Sequence, residues 1–242
     1  MTSRTSETKI AVLVLGIVLN VASQAPAQTP KGTYPAMAPL VQYLMPDRNA
    51  EIQLARTAAP PAISDHAEVL VLGPHGYETA VQGTNGFVCV VERSWMSPFD
   101  GPEYWNPKLR GPICFNPPAA RSVLPLTYKR TELVLAGLSK PQIIAGLKDA
   151  VDKKQIPALE VGAMSYMMSR QSYLGDAVGH GDAHLMFYAL KSDGTPWGEN
   201  LTDSPVFLNR QFDNSPEPLT CYIVGVSNWS DGKPASMDGH DH

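Results

Sequence analysis

Charge is scarce in this chain. Asp, Glu, Lys and Arg together make up 17% of the 242 residues, and the 19 basic residues are interspersed with 23 acidic ones. Binding to a phosphate backbone runs on clustered Lys and Arg, so nucleic acid is excluded as a partner. Long apolar runs are missing too. The longest spans residues 10–19 and stops at Asn20, well short of the roughly 20 residues that cross a bilayer. Familiar catalytic signatures are absent: there is no Gly-X-Ser-X-Gly, no His-Glu-X-X-His, no phosphate-binding Gly-rich loop and no Cys-X-X-Cys. The low charge does not mean disorder, because 43% of the residues are apolar, the balance of a chain that folds around a core.

The short apolar run at the start has a specific use. Arg4 and Lys9 precede it, and Ala25-Pro26-Ala27 follows it with small residues at the positions a signal peptidase reads. Residues 1–27 therefore read as a signal peptide cleaved between Ala27 and Gln28. The expected protein is exported, periplasmic or extracellular, with no stable membrane anchor after cleavage. Cysteine occurs three times, and an oxidising compartment lets cysteines pair. Cys89 lies in the strand-like run 87–91, and Cys114 lies 25 residues on in a Pro-rich stretch. Their pairing would stabilise by about 3 kcal/mol in the chain-entropy model. Cys221, flanked by Leu219, Tyr222 and Ile223, is then left as a small buried hydrophobe.

Proline is plentiful, with 22 residues. Its density over 98–118 predicts a long, stiffened loop without regular structure, packed by its aromatic residues. Around it, β-rich runs at 67–72, 77–81 and 87–92, separated by Gly-containing turns, read as an antiparallel meander. Residues 119–124 and 131–138 read as helical, broken by Pro125. Ser139-Lys140-Pro141-Gln142 is a capping box for a helix with Ile143, Ile144, Leu147, Ala150 and Val151 on one stripe. Further strands are expected at 184–190, 205–208 and 220–226. The fold class is thus α+β, a loop-rich single domain over 63–229. Its mainly antiparallel sheet carries a packed helical hairpin. An N-terminal extension, 28–62, holds one short helix capped by Asp47, and 230–242 forms a flexible tail.

Candidate chemistry concentrates in Gly179-His180-Gly181-Asp182-Ala183-His184. Imidazole and carboxylate ligate first-row metals, and residues two apart on an extended chain share a side. His180, Asp182 and His184 could therefore converge on a divalent transition metal. His240 and His242 offer a second, unscaffolded set. Methionine and tyrosine gather at Met164, Tyr166, Met167, Met168, Tyr173 and Met186, where an apolar ligand could sit among adaptable side chains. Asn200 and Asn228 open glycosylation triplets. The expected function is that of an exported binding or accessory protein for a small ligand or protein partner, with a transition metal as its candidate cofactor. The alternative is an extracytoplasmic hydrolase with its site between 98–118 and 179–184.

Overall fold

The computed structural model describes Met1 and residues 34–191, 194–199 and 201–235. Beyond Met1, the expected signal segment and its expected cleavage point lie outside these, as do Asn200, His240 and His242. The described residues from Tyr34 onward form one compact unit. Its centre is a mixed sheet of eight strands: β1 (Glu68–Gly73), β2 (Gly76–Val81), β3 (Val88–Glu92), β4 (Gly111–Phe115), β5 (Met164–Met167), β6 (His184–Leu190), β7 (Val206–Asn209) and β8 (Leu219–Gly225), in the order β2-β1-β3-β4-β5-β6-β8-β7. Every pairing is antiparallel except that of β1 with β3, where Glu68 meets Val88 and Val69 meets Cys89 in parallel. The α+β class with a mainly antiparallel sheet is therefore correct. The meander is not, because β3 passes to the far side of β1 instead of continuing from β2.

Among the described residues, five α-helices accompany the sheet: α1 (Arg48–Arg56), α2 (Pro61–Ser64), α3 (Pro117–Ser122), α4 (Leu124–Leu135) and α5 (Lys140–Asp152). Strand alternation divides the apolar residues between two faces. Val69, Cys89, Val91 and Cys114 pack with Ala55 of α1 and with Ala58 and Ala59 just beyond it. Small alanines let this helix lie close to the strands, which explains why its apolar stripe looks thin in sequence. Asp47 caps it, accepting from the amides of Asn49 and Ala50 at 2.8 and 3.3 Å. Glu51 then turns inward to Arg93 at 2.7 Å, both side chains buried. On the opposite face Leu70, Val90, Ile113, Phe115 and Met186 cluster with Ala119, Leu124 and Leu126. Leu133 and Val134 of α4 and Ile143 and Leu147 of α5 meet Leu72, Trp95, Tyr104 and Trp105.

The Pro-rich segment departs most from expectation. Residues 98–110 are irregular, but Gly111–Phe115 is a fully buried central strand. Pro112, opposite Val91 of β3, is tolerated because the β5 side of β4 is unpaired at this point. The β4–β5 ladder covers only Cys114↔Tyr166 and Phe115↔Ser165, and contact resumes only at the isolated bridge Arg110↔Tyr173. Cys89 and Cys114 are direct partners across β3 and β4, with Cα atoms 4.0 Å apart, and they form the disulfide. Cys221 is a buried free thiol.

Two further expectations need correcting. Pro125 does not break a helix: it lies in the first turn of α4, where a proline costs no intrahelical bond. β5, in the stretch after Pro157, was not expected at all. Within the described part of the stretch read as a tail, Asp231-Gly232 turns the chain back so that Trp229 N–H donates to Lys233 O at 2.9 Å and Ala235 N–H to Ser227 O at 2.8 Å. The capping box does form, with Ser139 N–H donating to Gln142 Oε1 at 2.9 Å. Gly137, at φ +75°, turns the chain just beyond α4.

Candidate functional site

The gap in the ladder beside Pro112 opens a notch. It is lined by Pro112, Met167, Ser169 and Ser172 on one side, and by Leu174, His180, Asp182 and His184 on the other. All three metal candidates predicted for the strand entrance thus reach one place, though not as an extended chain would bring them. Gly179 and Gly181 adopt φ of +60° and +66°, a left-handed conformation open to glycine, and the chain coils before β6 begins at His184. A Cβ on Gly181 would stand 2.9 Å from Leu174 Cδ1, so the coil also depends on that residue's bareness. His180 turns edge-on to Trp229 at 5.4 Å between ring centroids.

Backbone carbonyls hold both imidazoles. His180 Nδ1 lies 2.5 Å from Gly181 O, and His184 Nδ1 lies 2.7 Å from Asp182 O. A carbonyl oxygen only accepts, so this network assigns the proton to Nδ1 and leaves each Nε2 with its lone pair. Burial lowers the pKa of His184, against a smaller opposing pull from Asp182. The ring is therefore kept neutral, as a metal ligand must be. Even so, among the described residues no three His, Cys, Asp or Glu side chains stand close enough to hold one ion. The notch has no room for a water-sized sphere.

Beside the notch, the loop 98–118 is fastened to residues 173–176, just ahead of the second segment suggested for a hydrolase. Arg110 and Tyr173 exchange amide hydrogen bonds of 2.8 and 2.9 Å, and Asp176 N–H donates to Glu103 Oε1 at 3.1 Å. The carboxylates at this junction are engaged in holding loops. Asn106 donates to Glu103 Oε2 at 2.6 Å, and the hydroxyls of Tyr34 and Tyr173 both donate to Asp176. Burial first, and Asp176 second, pushes the Tyr34 hydroxyl up to about 12. The serines of the notch are committed elsewhere: Ser169 Oγ to Thr57 Oγ1 at 2.6 Å, and Ser172 Oγ to the carbonyls of Ser169 and His180. Neither hydroxyl meets an imidazole nitrogen, the contact that would activate a nucleophile. Cys221 is no better placed, since burial pushes its thiol far up.

A roomier site lies elsewhere. A cleft of about 470 Å³ opens between the α3–α4 junction, the end of α5 and the adjoining ends of β6 and β8. Leu126, Val151, Ile156, Leu159, Leu190 and Leu219 supply its walls, while Ser122 and Lys154 are its polar side chains. It is not where the methionines pointed. Met186 is core, Met168 is buried, and Met167 lines the closed notch. The sequence signal that was missed is the run Ile156-Pro157-Ala158-Leu159, apolar residues beyond the end of α5 that no helical stripe accounts for. No family model, curated protein or solved structure matches this chain.

Proposed function

We propose that this is an exported binding protein whose ligand is a small, largely apolar molecule seated in the cleft beside α5. The observation that carries the reading is the cleft itself. About 470 Å³ with mostly apolar walls falls within the range of roughly 300–1,000 Å³ usual for small-molecule sites. Export is supported by the leader-like residues 1–27 and by the Cys89–Cys114 disulfide. N-terminal sequencing of the exported protein should begin at Gln28. Native mass spectrometry with dodecanol should give a one-to-one adduct, and Ala158→Trp, which fills the cleft from its wall, should remove it. An adduct that persists in the variant would place the ligand elsewhere.

A second reading has its own support. Both Nδ1 atoms at the notch face carbonyls, the outer contacts that orient ligating histidines, so a small rearrangement could bring His180 and His184 Nε2 and Asp182 onto one divalent transition metal. Zinc titration should then show a site that survives deletion of residues 236–242 and vanishes in the double variant His180→Ala, His184→Ala. Affinity retained in the double variant would end this reading. Loss on tail deletion alone would give the binding to His240 and His242. The hydrolase reading is the weakest of the three, for want of a hydroxyl–imidazole contact.

A further inference from the structure

We infer that the cleft is built for a single-chain amphiphile with an anionic head group, a fatty-acid carboxylate being the simplest, whose tail lies among the apolar walls and whose head meets Lys154. The inference rests on the binding reading above. The neighbouring acidic residues are already matched: Asp152 with Lys148 at 2.5 Å, Asp149 with Lys153 at 2.7 Å, and Glu160 with Arg121 at 2.6 Å. Ser122 Oγ donates to Pro118 O at 2.7 Å. Among the described residues, that leaves the Lys154 ammonium as the one charge lining the cleft with no ion-pair partner.

The position of Lys154 is also unusual. Its φ of +54° puts it in the left-handed conformation that closes α5. Its N–H donates to Val151 O at 3.0 Å, and the N–H of Gln155 donates to Ala150 O at 2.9 Å. This is the Schellman arrangement, in which the left-handed residue is ordinarily glycine. A cation at a helix C-terminus is favourable, but Lys153 already supplies one without the left-handed penalty. Glycine fits this backbone better, so the helix end itself does not account for a lysine here and its side chain is free to serve the cleft. Leu190, 65% exposed at the mouth, offers apolar surface for a tail to cover.

Calorimetry on the full exported protein, with octanoate, decanoate and laurate below their micellar concentrations, tests this. Affinity should rise about fourfold with each added methylene until the cleft is full. Laurate should bind at least tenfold tighter than dodecyltrimethylammonium. That preference should shrink to near parity in Lys154→Gln and reverse in Lys154→Glu, with thermal unfolding showing both variants folded. If dodecanol and laurate bind alike and Lys154→Glu leaves laurate unchanged, the head-group assignment is overturned while the cleft remains the ligand seat. If none of the probes binds, or Ala158→Trp leaves laurate affinity intact, both readings fall. A cleft filled by residues of the N-terminal segment or by a second copy of the chain would give the first of these two results.

Discussion

Glu92 has the most consequential chemistry of any single residue in the interior. It is buried at the end of β3, accepts a hydrogen bond from Thr127 Oγ1 at 3.0 Å, and is pushed up to about 7 by burial, against smaller opposing effects of Thr127 and Arg130. The folded state therefore holds a proton that the unfolded state releases near the ordinary carboxylate value. Between roughly pH 4.5 and 7 the folded chain binds more protons than the unfolded one. This residue's contribution is present in full below that window and is lost as pH rises through it, by about 1.4 kcal/mol per unit. Urea unfolding at pH 5 and pH 8 should show that Glu92→Gln removes much of this fall and leaves the variant relatively more stable at pH 8. Parallel pH curves for the two proteins would mean that Glu92 stays ionised in the fold.

At the scale of elements, the end of α5 and the middle of β4 show how local rules are overridden. Lys154→Gly should stabilise the protein by about 1 kcal/mol, since glycine enters the left-handed conformation without a Cβ penalty. A thermal melt reads this, and an unchanged or lower midpoint would show that the lysine carries compensating contacts. The signals at α5 and α1 were legible because a capping box and a capping Asp are written in adjacent residues. β4 was not, because proline content speaks of a strand's own amides and says nothing about whether a neighbour needs them. Pro112 survives at a gap in the ladder between β4 and β5, and a gap is a property of two strands. β5 escaped notice for a similar reason: its four residues, Met164–Met167, become a strand by lying between β4 and β6. The candidate metal cluster was visible as composition, but its coiling at Gly179 and Gly181 was not. The cleft was the least legible feature, since its walls come from segments up to about a hundred residues apart.

Across the whole molecule, the disulfide fastens two central strands of the sheet. It also closes a loop containing the irregular residues 98–110, whose aromatic residues Phe99, Tyr104 and Trp105 are buried. The double variant Cys89→Ser, Cys114→Ser should lose about 3 kcal/mol in chemical denaturation. Peptide mass mapping without reductant should link Cys89 to Cys114 and find Cys221 as a free thiol that reacts with alkylating agents only after unfolding. A Cys221 that labels at once in the folded protein would contradict its burial.

The tryptophans are distributed so that their emission separates local from global events. Trp95 and Trp105 sit in the core, Trp197 stacks on Tyr222 with ring centroids 4.5 Å apart, and Trp229 touches the ring of His180. The indole at the notch is thus a built-in optical probe of its histidine. A change at His180, whether a bound cation or a rotated ring, should alter Trp229 fluorescence while the core indoles stay silent, and unfolding should shift them all. Replacing Trp229 with Phe would leave the fold its other three indoles and remove the chromophore that watches the notch.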